Sequence, residues 1–140
     1  MQVKIKLTNG AKMPKYATDG SAGMDLSCLE GFSISPHGRF LVKTGISIEL
    51  PIGYEAQIRP RSGKALKEGL SVILGTIDSD YRGDIGIIAH NIHNHSIRIE
   101  AGERIAQMVI AKYEQAQRIE AEALSETLRG SGGFGSTGMV

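Results

Sequence analysis

Apolar and polar residues alternate with a period of two through much of this chain. Val3, Ile5 and Leu7 are separated by Lys4 and Lys6, and Ile46, Ile48 and Leu50 by Ser47 and Glu49. Tyr54, Ala56 and Ile58 follow, and Ile97 and Ile99 flank Arg98. That period sends successive side chains to opposite faces, so each run predicts a strand with one face on a core. Turn signals separate the runs: Asn9-Gly10, Asp19-Gly20, Pro36-His37-Gly38, Pro51-Ile52-Gly53 and Ala101-Gly102. Short strands divided by frequent turns predict an all-β barrel or sandwich. Two segments depart from the pattern. Ser62 to Glu68 is long enough for one or two helical turns, with Gly69 placed to stop them. Glu114 to Leu128 is rich in Ala, Glu and Gln, so local propensity favours helix there.

Composition narrows the picture. The 140 residues show no repeat and no linker, and read as one domain large enough for a true core. Sixteen basic residues against fifteen acidic ones give a formal charge of +1, which does not indicate a general nucleic-acid surface. A small anionic substrate needs only a local cluster. Cys28 is the single cysteine, which excludes an internal disulfide and a multi-cysteine zinc site. It reads as a small, partly buried hydrophobe. No apolar run is long enough to span a membrane, and the first residues lack the apolar block of a signal peptide, so the expectation is a soluble intracellular protein.

Several segments carry candidate chemistry. In Gly75 to Gly86, Asp78 and Asp80 point the same way if extended, and the adjoining glycines let backbone approach a ligand. A carboxylate beside bound anions can act as general base toward water, although the segment alone also reads as an acidic hairpin turn. Arg59, Arg61, Ser62 and Lys64 place three cations and a hydroxyl around a helix start suited to phosphate. The spacing is not that of a Walker A loop. Gln107 is a polar residue among the apolar neighbours of Glu103 to Ile110, hence either a structural hydrogen bonder or a substrate contact. His90, His93 and His95 fall in or beside a turn after a strand over 85–89 and read as titratable surface groups rather than metal ligands. Five of the ten residues from Arg129 to Gly138 are glycine, around Phe134. Such a stretch either frays or closes over a nucleotide, with the ring on a base and Arg129, Ser136 and Thr137 toward phosphate.

Taken in order, five segments resemble the motifs of the trimeric dUTPase (deoxyuridine triphosphate nucleotidohydrolase) family. They are Ala22-Gly23-Met24-Asp25-Leu26, Pro60-Arg61-Ser62-Gly63, Gly75 to Gly83, Gly102-Glu103-Arg104-Ile105-Ala106-Gln107, and Arg129 to Gly138. The resemblance implies a distorted jelly-roll-like β-barrel over residues 1–128, one short helix after the second motif, and a flexible C-terminal arm, 129–140, acting as a mobile lid. It implies a homotrimer with sites at subunit interfaces, and no nucleic-acid or membrane partner. The reaction implied is attack of water on the α-phosphorus of dUTP, giving dUMP and pyrophosphate, with Mg²⁺ as cofactor. That activity limits uracil in DNA and supplies dUMP for dTMP synthesis.

The residue roles follow from the same resemblance. Asp78 would activate the water, and Tyr81 would lie against the deoxyribose and exclude a 2′-hydroxyl. Backbone from Gly75 to Ile77 would read the uracil edge. Arg61, Ser62, Gly63 and Gln107 would hold the phosphate chain, and Asp25 would support magnesium through water. Phe134, beside Gly135, would stack on uracil, while Arg129, Ser136 and Thr137 grip the γ-phosphate. Lys64 departs from the leucine many members carry, and reads as solvated. The segment Leu70 to Leu74 is shorter than in bacterial members with a uracil-contacting Asn, so that contact is not carried over. The resemblance also makes 114–123 more extended than its propensity suggests. The similar dCTP deaminases need a carboxylate where this chain has Ile88. A trimeric binding protein that engages another protein is a further reading, but it leaves Asp78, Gln107 and the complete tail unexplained.

Overall fold

A computed structural model describes residues 1–138. Among them the first six strands are β1 (Lys4–Leu7), β2 (Lys15–Tyr16), β3 (Gly23–Ser27), β4 (Phe32–Ile34), β5 (Arg39–Lys43) and β6 (Ile46–Glu49). Then come β7 (Tyr54–Pro60), the helix α1 (Ser62–Glu68), β8 (Leu70–Val72), β9 (Gly75–Ile77), β10 (Gly86–Asn91), β11 (Ile97–Ile99) and β12 (Arg104–Lys112). A five-stranded sheet has the order β2-β3-β12-β7-β9, and a three-stranded sheet the order β5-β10-β8. The ribbons β1-β6 and β4-β11 complete an all-β, jelly-roll-like architecture, and every pair is antiparallel.

The core is filled by the inward residues of each alternating run. Leu26, Ile58 and Met108 come from the large sheet, Ile87 and Leu70 from the smaller one, and Ile46 and Ile99 from the ribbons; all are fully buried. Burying each such side chain stabilises the fold by roughly 1.5–3 kcal/mol. The first run is the weakest: Leu7 is exposed and Ile5 only half-buried, because β1 pairs with β6 alone.

The punctuation behaves as its chemistry requires. α1 ends where Gly69 turns left-handed (φ 66°), its N–H donating to the Lys64 carbonyl. A side chain at Gly69 would also press into His93. β10 runs to Asn91, past the expected end at 89, so His90 is a strand residue while His93 and His95 lie in the loop. Asn91 is fully buried and donates to the carbonyls of Ile34, Ser35 and His95, fastening that loop to the end of β4. Glu114 to Leu128 is neither helix nor strand, contrary to its propensity, and over 114–123 it lacks the helix that the resemblance argued against. Ile119, Leu124 and Leu128 are exposed there, and a short helix with no packed face is marginal in water. Among the described residues no helix is long and apolar enough to cross a membrane.

Candidate active site

A single extra residue in β12 decides which way the site faces. Arg104 pairs with Ser27 and Ala106 with Leu26, which leaves Ile105 opposite nothing: a β-bulge. Ile105 and Ala106 are therefore both fully buried, and the alternation resumes one step later with Met108 inward. Without the bulge Gln107 would share the core face with Ile105. With it, Gln107 emerges half-buried on the other face, level with Asp25 of β3 and Arg59 of β7. Its Nε2 donates to the Pro60 carbonyl at 3.0 Å, which fixes the chain just before Arg61. Gly23 leaves the room: a Cβ there would come within 2.6 Å of Gln107 Oε1. Gln107 is thus both a structural hydrogen bonder and a wall of the site.

Charged side chains from three distant segments meet beside it. Asp25, whose side chain is 14% exposed, takes Arg61 Nε on Oδ1 at 3.1 Å and Arg104 Nη1 on Oδ2 at 2.9 Å. Arg61 Nη1 donates to the Arg104 carbonyl at 3.1 Å. Two adjoining hollows of about 760 and 410 Å³ share Asp25, Arg61 and Lys64 in their walls. Lys12, Lys15 and Arg104 line the larger; Ser62, Gly63 and Gln107 line the smaller. Cations, a hydroxyl and an amide around adjoining hollows are the groups that can receive an anionic chain.

Lys64 is not solvated, which corrects the sequence expectation. Its side chain is 12% exposed and its ammonium donates to Glu103 at 2.6 Å and Glu68 at 2.7 Å. Burial, the largest single influence, opposes the charge, yet the two carboxylates together hold the Lys64 pKa above its ordinary value. The Lys64 hydrogen bond, and then the Glu100 N–H on its other oxygen, pull the Glu103 carboxyl below its ordinary range.

The segment around Asp78 forms a second, separate hollow. β9 is the edge strand, paired only with β7, so backbone of Gly75 to Ile77 on its outer side lacks a neighbouring strand. Asp78 follows it as an exposed residue and lines a hollow of about 660 Å³ with Glu55, Ser79 and Asp80. The turn holds itself: Tyr81 N–H donates to the Asp78 carbonyl at 3.1 Å, Tyr81 Oη to the Asp84 carbonyl at 3.0 Å, and Arg82 Nη1 to the Ser79 carbonyl at 2.7 Å. Gly83 leaves room for the Tyr81 phenol, which a side chain there would push aside. Nothing lining the Asp78 hollow lines the Arg61 hollows.

The structure therefore brings Asp25, Arg61, Ser62, Gly63 and Gln107 together, and sets Gly75, Ile77, Asp78 and Tyr81 apart from them. Arg129, Phe134, Gly135, Ser136 and Thr137 line neither the Arg61 hollows nor the Asp78 hollow. The tail coils through successive tight turns, with Ser136 N–H on the Gly133 carbonyl and Arg129 Nε on the Gly132 carbonyl, and Phe134 is wholly exposed. Two residues at the site make contacts that the sequence does not reveal. Arg104 stands in the fourth motif with no role of its own, and the apolar run that follows it does not fix which face it takes. Lys64, one of the three cations around the helix start, reads from the sequence as solvated, whereas the structure ties it to Glu103 and Glu68.

The comparisons with known proteins agree along the whole length. Residues 9–138 match the family model described as dUTPase. The chain is 56% identical over 137 residues to the deoxyuridine 5′-triphosphate nucleotidohydrolase of Hydrogenobaculum sp., covering 96% of this chain and 95% of that one. It is 49% identical over 142 residues to the protein of the same description from Helicobacter pylori, covering 99% and 98%. Among solved structures it is similar to the Staphylococcus bacteriophage 80alpha dUTPase with dUPNHPP, at a TM-score of 0.94 and 30% identity over 99% of both chains.

Proposed function

This chain belongs to the dUTPase family, and on that premise we propose that it converts dUTP to dUMP and pyrophosphate at sites assembled between three copies of itself. Hydrolysis of dUTP follows from the family. The observation that carries the proposal is the convergence of Asp25, Arg61, Ser62 and Gln107 around one concavity suited to an anion, while Asp78 lines a separate, open one. A site divided between two places on a single chain becomes whole when one copy's hairpin covers another copy's concavity.

The donor set fits a magnesium ion carried in by the substrate. No group of three His, Cys, Asp or Glu side chains converges among the described residues, and both Asp25 oxygens already hold guanidinium groups. Asp25 can meet such an ion only through water, consistent with the preference of magnesium for phosphate oxygens and its own waters. When bound, the ion supplies charge neutralisation and orientation of the triphosphate.

The chain's own groups do the rest. Arg61, Ser62, Gly63 and Gln107 hold the phosphates, with Arg61 aimed by Asp25 and by the Arg104 carbonyl. Backbone at Gly75 and Ile77 meets the base from the open sheet edge. The Tyr81 ring packs against the sugar where a 2′-hydroxyl would clash. The Asp78 carboxylate takes a proton from water as it attacks the α-phosphorus in line. The arm 129–140 closes last, Phe134 on the base and Arg129, Ser136 and Thr137 on the terminal phosphate, excluding bulk water. Pyrophosphate release from dUTP, dCTP, dTTP and UTP, each with and without Mg²⁺, tests this. Release confined to dUTP with Mg²⁺ is expected; equal release from UTP removes the role given to Tyr81.

A further inference from the structure

We propose that Lys64 is a positioning residue: it ties α1 to the turn before β12 and so holds the phosphate-binding residues of both in register. The inference rests on the dUTP reading above and deepens it. α1 begins at Ser62, directly after Arg61, so its placement sets both groups. Yet the helix has no buried residue, Leu66 is 86% exposed, and no side chain caps its N-terminus. Nothing apolar anchors it. Among the described residues, the Lys64–Glu103 bond is the one side-chain hydrogen bond or ion pair from α1 to another part of the fold.

Glu103 is itself immobilised. Its Oε1 accepts the Glu100 N–H at 2.7 Å while its Oε2 accepts Lys64, so the carboxylate is fixed at both ends. The next residue is Arg104, whose guanidinium rests on Asp25, and Asp25 in turn holds Arg61. The contacts close a ring: Arg61, Asp25, Arg104, Glu103, Lys64, and back along α1 to Arg61. Opposite charge holds Arg61 and Arg104 on Asp25 and Lys64 on Glu103, while the chain itself joins Glu103 to Arg104 and Lys64 to Arg61. Opening the ring at Lys64 frees the helix end of the phosphate cradle and leaves Asp25 and Gln107 in place. Phosphate binding should weaken alike in the ground and transition states, which raises KM more than it lowers kcat.

Lys64→Met keeps the length and removes the charge. Expected are a KM for dUTP higher by about tenfold with kcat within about twofold, and substantial recovery in Lys64→Arg. Glu103→Gln should reproduce the effect, and the double variant should cost no more than either single one, because both break the same link. Amide hydrogen exchange over residues 62–68 should quicken in Lys64→Met, a readout independent of turnover. Unchanged exchange and KM, or additive effects in the double variant, overturn the positioning role. Wild-type enzyme inactive on dUTP overturns the functional reading instead, and altered exchange then still reports on the ring.

Discussion

Asp78 carries an exposed carboxylate one residue beyond an edge strand, with its backbone fixed by the turn that follows and its side chain left to solvent. An Asp78→Asn change alters no packing, so the fold should melt as before. Turnover should fall by about 10²–10⁴-fold, the range of a lost general base, while affinity for a non-hydrolysable dUTP analogue stays within a few-fold. Undiminished turnover sinks the assignment. Asp25 has the opposite character: its oxygens are committed to two arginines, one of them 79 positions along the chain. Such pairings explain what was hard to read beforehand. The third-motif pattern around Asp78 is contiguous and announces itself, whereas the partner of Lys64 lies 39 positions away and no local spacing points to it.

Elements show the same division. Alternation placed the strands at 46–49, 54–60 and 97–99 correctly, and Gly69 stopped α1 where a left-handed residue was needed. The bulge at Ile105 was invisible, since a run of apolar residues around one Gln accommodates either phase. Helix propensity over 114–128 failed because a helix outside the core gains no burial to offset its ordering cost. The arm beyond β12 makes no part of the buried core. Removing residues 129–140 should therefore leave the melting temperature nearly unchanged but reduce dUTP turnover by about 10²-fold or more, through loss of the closed, water-excluding state. A truncated chain with full activity disproves the lid. Residues 139 and 140 of that segment lie outside the described residues.

At the scale of the whole molecule, the Asp78 hollow stands apart from the Arg61 hollows, and the proposed trimer would make assembly a condition of activity. Asp78→Asn and Arg61→Ala chains should each be nearly inactive, and co-assembled at equal amounts they should recover about a quarter of wild-type turnover, the chance that one site receives an intact residue from each of two neighbours. No recovery means that each site is built within one chain. What the sequence by itself determined was local: period-two strands, turns at glycine, a helix with its stop, and five motifs whose order carries the family. Each depends on backbone preferences and neighbours a few positions apart. Only the tertiary structure decided that Gln107 leaves the core, that Lys64 and Arg104 are bound into one ring with Asp25, and that 114–128 forgoes its helix. Those outcomes turn on contacts between residues tens of positions apart, whose energies exist only once the chain has folded.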